Sequence, residues 1–316
     1  GLMSTLKEIR GQTIRSLSSD PSPVTTGDMW YNSTTKILKG VQGVGAWASG
    51  GNLGTARQGL SSVGVQTLAL AFGGRLANNS ATNSTEEYNG SAWTGGGNLN
   101  TSRFALAGAG TQTAGLAFGG TPSTADSEEY NGSAWTEGNN LNTARGSLAG
   151  AGIQTAALAF GGGNGTESYN GTSWTALATM NTARVGIAGA GTSTAALGFG
   201  GEGPAPSYTL YNVSEEWNGS SWTEGNNLNT ARQQLGGSGI QTAALGFGGQ
   251  NPTRAFTEEY NGTSWTEIAD MSTARYTLGG NGTTSASLAV GGLTPSITNA
   301  TEEFTVAAAT KTFTTS

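Results

Sequence analysis

Six arginines recur in one short phrase. Arg57, Arg103, Arg145, Arg184, Arg232 and Arg275 each close a copy of NTAR or a near variant of it. Six guanidinium groups of one sign at the mouth of a channel would focus the local potential and could hold an anion. The alternative is that each arginine uses its fork of donors to tie its own repeat together, through a carboxylate or backbone carbonyls. Glu86, Glu128, Glu167, Glu215, Glu258 and Glu302 occupy the equivalent position in each copy and are the candidate carboxylates. Sixfold repetition favours this structural ring, because a reactive site needs its residues only once. Adjacent glutamates such as Glu128-Glu129 also evoke the two carboxyl groups of a glycoside hydrolase. Neighbouring strand residues point to opposite faces, however, so one such pair cannot flank one bond. Aspartate is confined to Asp20, Asp28, Asp126 and Asp270, and the chain has no His and no Cys. That removes the commonest general base, the commonest metal ligand and every thiolate site. A calcium cage of several carboxylates is equally unsupported. The reading is therefore of no catalytic residue, no metal site and no cofactor.

The elements that position these residues follow from the repeat, which is stricter than the arginine spacing alone. Each Arg lies ten residues after a Trp (Trp47, Trp93, Trp135, Trp174, Trp222, Trp265) and 17 before the second glycine of a Gly-Gly pair (Gly74, Gly120, Gly162, Gly201, Gly249, Gly292). Five copies keep an aromatic five residues ahead of the Trp: Tyr88, Tyr130, Tyr169, Trp217 and Tyr260. All the variation in length falls between Gly-Gly and the next aromatic, from seven to 16 residues. The 53 glycines, 35% apolar content and 11% charge among 316 residues argue against helices. Regularly spaced Trp, Tyr, Phe and Leu argue against disorder. A net charge of −6 disfavours a nucleic-acid partner. No apolar run approaches the roughly 20 residues of a membrane helix, which predicts no membrane insertion. The polar N-terminus shows no signal-peptide hydrophobic stretch.

Within one copy, TAALAF (155–160) alternates, with Ala156, Leu158 and Phe160 on one face and Ala157 and Ala159 on the other. RVGIAGAG (184–191) is a second extended stretch, rich enough in glycine that its neighbours must approach its backbone closely. TEEY and SWTE flank an Asn-Gly, a strong hairpin signal, and the triplets starting at Asn89, Asn131, Asn170, Asn218 and Asn261 are read as those turns rather than as glycosylation sites. Four short strands in about 43 residues match one propeller blade. The expected fold is all-β: a six-bladed β-propeller of four-stranded antiparallel blades, bulky face against smooth face, with the Gly-rich strand innermost. Closure is expected from pairing of the N- and C-terminal strands, because the first copy has Trp47 but no EEY and the last has TEEF (301–304) but no Trp. Either the Trp47 strand or the tail at 310–316 forms the outermost strand of that blade. Residues 1–40 are expected to form an attachment arm with a short β-hairpin, and 41–316 the propeller.

The variable loops should share a face with the constant NLNT loop, and function carried on loops over a rigid scaffold is the general expectation. The ligand-binding candidates are Asn78 and Asn79 in 75–85, Tyr208 and Tyr211 in 202–214, and Arg254 and Phe256 in 250–256. Aromatic plates with amide and hydroxyl donors suit a sugar, and they also suit a protein surface.

The pattern MNTAR…GG…EEYNG..W resembles the kelch repeat over about residues 47–304, with a Tyr-to-Trp spacing two residues shorter than usual in that family. The resemblance implies a kelch-like β-propeller, a fold with varied activities. The stretch SSDPSPVTTGDMWYNSTTKILKG (18–40) resembles segments near the start of bacteriophage tail and virion-associated proteins, marine phages included. That resemblance implies a virion or extracellular location, contact with other virion proteins through the N-terminal segment, and a non-catalytic recognition module that meets a host-surface glycan or protein. The alternatives are a purely structural virion scaffold or assembly protein and, least favoured, a carbohydrate-processing enzyme.

Overall fold

The computed structural model describes residues 14–24, 27–250 and 252–313, and no helix occurs among them. Five antiparallel four-stranded sheets span residues 61–95, 107–137, 148–176, 188–224 and 236–267. They are blades I to V of a six-bladed propeller. The sixth sheet holds Gly279–Thr283, Ala286–Val290, Thr301–Phe313 and Ile37–Ser49 in that order, followed by Met29–Asn32 and Arg15–Leu17. By compactness the chain divides into Trp47–Phe304, the propeller with blade VI completed by residues 47–49, and a second unit made of the segments before 47 and after 304. The boundary expected at residue 40 falls within the strand Ile37–Ser49. Residues 1–13 of the expected arm lie outside the described residues.

Blade III serves as the template. Leu148–Ile153, Ala156–Gly161, Thr166–Tyr169 and Trp174–Ala176 run antiparallel, with Ala151 opposite Leu158, Ala159 opposite Glu167 and Tyr169 opposite Trp174. The period-two pattern sorts the second strand by size. Leu158 and Phe160 pack into blade IV with Ile187, Ala196 and Trp222, while Ala157 and Ala159 receive Leu116 and Phe118 of blade II. Every interface repeats this bulky-on-smooth contact. The glycines of the inner strands are demanded by crowding: a Cβ on Gly150 would lie 2.5 Å from the Gly108 carbonyl oxygen and 2.7 Å from the Phe118 ring.

Three sets of contacts pass from a blade to the one before it, two of them at all six boundaries and the second at four. The first is the Trp indole, which donates to a hydroxyl on the third strand of the preceding blade: Trp135 to Thr85, Trp174 to Ser127, Trp222 to Thr166, Trp265 to Ser214, Trp47 to Thr257 and Trp93 to Thr301, all at 2.9–3.0 Å. Trp47 therefore takes the outermost place in blade VI. The tail through Phe313 continues the third strand instead, and 314–316 lie outside the described residues. The same indoles meet the preceding blade's Phe at ring-centroid distances near 5 Å. Trp93 meets Val290 in place of a Phe. The second set comes from the turn glutamines. Gln112, Gln154, Gln241 and Gln66 each donate to two carbonyls of the preceding blade, the last of them reaching Ser287 and Phe304 of blade VI.

The third set circles the axis. Ala105 N donates to Gly59 O, Ser147 N to Ala105 O, Gly186 N to Ser147 O, Gln234 N to Gly186 O, Thr277 N to Gln234 O and Gly59 N to Thr277 O, at 2.7–2.9 Å. Each donor sits just ahead of its blade's inner strand, and all six have left-handed φ between 52° and 61°.

In the second unit, Met29–Asn32 pairs antiparallel with the start of the Ile37 strand and parallel with Arg15–Leu17. Asp20 organises it, accepting from Lys39 Nζ at 2.5 Å, Asn32 Nδ2 at 2.8 Å and Trp30 Nε1 at 3.0 Å. The Lys39 contact, followed by those to Asn32 and Trp30, brings the Asp20 carboxyl down to about 2.

Two outcomes are expected. Trp135, 5% exposed, should cost about 3–5 kcal/mol on Trp135→Ala by chemical unfolding; a loss under about 1 kcal/mol would contradict its packing role. A depressed carboxyl contributes stability above its unfolded value and loses it as pH falls through the folded one. The Trp30 indole bond, followed by NMR, should therefore survive acidification past the ordinary 3.8 and disappear near 2. Loss near pH 4 would contradict this.

Candidate functional site

Each arginine of the ring lies inside its blade, 0–5% exposed, against the glutamate two strands away. The six Arg–Glu pairs measure 2.6–3.2 Å. Arg103 shows the full geometry: Nη2 donates to Glu128 Oε1 at 3.0 Å, and Nη1 to the carbonyls of Asp126 at 2.6 Å and Gly119 at 3.2 Å. Glu128 Oε2 accepts the Asn100 amide of the NLNT loop at 2.6 Å, and every blade repeats that contact from Gly54, Asn142, Asn181, Asn229 or Ser272. One carboxylate thus clamps the arginine and the loop that precedes it. Burial pushes all six guanidinium groups down, Arg57 to about 10, and the facing glutamate opposes that shift. With every charge paired and enclosed, the anion-holding reading of this ring has no accessible surface to act through.

In four of the five Glu-Glu pairs the second glutamate accepts from a tyrosine of the next blade. Tyr130 Oη donates to Glu87 of blade I, Tyr169 to Glu129, Tyr260 to Glu216 and Tyr88 to Glu303, each at 2.5 Å. Two boundaries break the pattern: between blades III and IV, Ser168 replaces the acceptor and Trp217 the donor, and between blades V and VI, Phe304 replaces the donor while Glu259 keeps the acceptor position. Trp217 Nε1 turns to Ser193 O in its own blade at 3.1 Å. Burial, with the glutamate contact adding to it, raises the four phenols, Tyr88 and Tyr130 to about 12.

The variable loops are anchored at the foot by one recurrent bond. Leu99 N donates to Asn83 O, Leu141 to Ala125, Met180 to Asn164, Leu228 to Asn212, Met271 to Ala255 and Leu53 to Asn299. The constant and variable loops thus share a face, as expected from the strand order of a blade. On that face the six candidate residues do not converge. Asn78 and Asn79 belong to blade I, across the ring from Tyr208 and Tyr211 of blade IV, while Arg254 and Phe256 rise from blade V. Asn78 Oδ1 accepts from Ser80, and Asn79 Oδ1 accepts from Arg75 at 2.6 Å. Arg254 lies over the Phe256 ring at 4.9 Å. Tyr208 differs: it is 62% exposed on a left-handed backbone, and its phenol makes no hydrogen bond among the described residues.

A cavity of about 130 Å³ lies on the axis, walled by three residues from each inner strand. Leu60, Leu106, Leu148, Ile187, Leu235 and Leu278 form one tier, and only small residues follow them. No charged or titratable side chain reaches it. Among the described residues no group of three or more His, Cys, Asp or Glu could hold a metal ion. No protein-family model matches the chain, and no curated protein matches it.

The sequence reading found the Arg–Glu clamps but missed the Tyr–Glu and glutamine links. Their signal was present, in the second Glu of each EE and in the repeated Gln-Thr.

A phenol raised on folding contributes stability below its unfolded value of 10 and loses it as pH rises through about 12. Tyr130→Phe should cost about 1.5–3 kcal/mol at neutral pH, the worth of a hydrogen bond to a charged group. Its alkaline decline between pH 10 and 12 should also be shallower than that of the parent. Parallel pH profiles in urea unfolding would contradict the Glu87 contact.

Proposed function

We propose that the protein is a non-catalytic recognition module of a bacteriophage virion, located on the tail or extracellular. It uses the variable-loop face of a kelch-like propeller to meet a host-surface glycan or protein. The observation that carries this reading is the separation of roles along each repeat. Strands, clamps and constant loops keep one pattern in all blades, while length changes only between the second and third strands, where side-chain chemistry also differs from blade to blade. Tyr208 is the surface group best placed to meet a ligand, being an exposed ring with an unengaged hydroxyl. The likeness of residues 18–40 to phage tail proteins supports a virion setting, with that segment joining other virion proteins. Absence of an enzymatic role is supported by the chain's lack of His and Cys and by the enclosure of its arginine–glutamate pairs.

A host-cell binding assay should register the parent protein and report about tenfold weaker binding for Tyr208→Ala, the loss of one central aromatic contact. Unchanged binding by Tyr208→Ala and by Arg254→Ala together would favour a structural spacer. Release of oligosaccharide from surface polysaccharide would overturn the non-catalytic reading.

A further inference from the structure

We infer that the ring consists of two arcs, blades IV–V and blades VI–I–II–III, joined at two apolar boundaries where unfolding begins.

The links between blades are not spread evenly. The glutamine bonds and the Tyr–Glu bonds occur at the same four boundaries: I/II, II/III, IV/V and VI/I. At III/IV and V/VI, Ser193 and Thr284 stand where the glutamines would be, and Trp217 and Phe304 where the tyrosines would be. The segment between Trp and Arg changes at the same two places. Three residues after the Trp, the four linked boundaries hold Gly50, Gly96, Gly138 and Gly225. A Cβ on Gly96 would lie 2.8 Å from Tyr130 Oη, so glycine makes room for the phenol. Boundaries III/IV and V/VI carry Leu177 and Ile268 there instead, packed onto clusters that contain Met180 and Met271. One residue further on, Asn139 and Asn226 donate to Thr172 O and Thr263 O, and Gly51 and Gly97 press against Ser91 O and Ser133 O. Ala178 and Ala269, with no side-chain donor, take that position at III/IV and V/VI. Leu177 and Ile268 are only half-buried, so their burial recovers part of what a bond to a carboxylate contributes.

A closed ring releases blades only by parting at two boundaries. The pair that breaks no glutamine or Tyr–Glu bond is III/IV with V/VI, and it frees blades IV and V as one piece. Tyr208, Tyr211, Arg254 and Phe256 ride on that smaller arc, whereas Trp47 and Phe304, at the limits of the propeller, belong to the larger one. Strain between those loops and the chain ends therefore falls on these two boundaries. Both keep their indole bond and their link in the axial circle. Parting them bares Leu158, Phe160, Leu245 and Phe247. That cost makes the parting the barrier of global unfolding rather than a fluctuation of the folded ring.

The test is the folding and unfolding rates of the full chain in urea. A contact already lost at the barrier changes the unfolding rate, and one still present there changes the folding rate. Leu177→Ala and Ile268→Ala should each unfold about fivefold faster or more, with refolding held within about twofold. Tyr130→Phe in the larger arc and Tyr260→Phe in the smaller should refold about tenfold more slowly, with unfolding held within about twofold. All four variants trim side chains without adding bulk, and circular dichroism checks that each folds. Unfolding accelerated as much by the two tyrosine variants as by Leu177→Ala, or refolding slowed by Leu177→Ala, overturns the two-arc ring. Faster unfolding of Tyr260→Phe alone overturns the release of blades IV and V as one piece.

Discussion

A circle of six main-chain hydrogen bonds around the axis is the constraint on which the rest depends. Each link needs a residue in the left-handed region, which costs an ordinary side chain about 1–2 kcal/mol. Four members, Ala105, Ser147, Gln234 and Thr277, accept that cost, and Thr277 does so despite its branched Cβ. The return is a bond between blades at the one radius where all six strands converge. The link from Gly59 to Thr277 matters most, because it joins the first blade to the last. The Trp93–Thr301 and Tyr88–Glu303 contacts repeat the closure farther out. A blade with one bulky and one smooth face has no core of its own, so the circle is what makes the repeats a protein.

The charged groups of the repeat are consumed by this scaffold. A buried ion pair offsets its desolvation only when the remaining donors and acceptors are also met. The clamps meet much of that condition through backbone carbonyls on the arginine side and the loop amide on the glutamate side, while the Nε of each arginine stays buried without a partner. The joint replacement at Ser168 and Trp217 follows the same logic, since a donor and its acceptor disappear together and no buried partner is stranded. Chemistry available to a ligand is thereby displaced to the loop face, where side chains differ from blade to blade.

Much of this was legible in the sequence. The fixed Trp-to-Arg and Arg-to-Gly-Gly distances gave the number of blades, the alternation of TAALAF gave the packing of one blade on the next, and the invariant Glu gave the clamp. The left-handed circle was hidden because its members, Gly, Ala, Ser, Gly, Gln and Thr, share no side chain: the position is defined by backbone alone. The choice of outermost strand in blade VI was hidden because both ends of the chain have strand character, and the indole bond to Thr257 decides it. The candidate loops were legible one by one. Their separation around the ring depends on closure and on loop paths that spacing does not encode.

Native-state hydrogen exchange of the amides of Gly59, Ala105, Ser147, Gly186, Gln234 and Thr277 tests the closed circle most directly. Uniform protection is expected, with all six, Gly59 included, exchanging only through global unfolding. Exchange of Gly59 orders of magnitude faster than that of the other five would mean an open seam between the first and last blades, and would contradict the account.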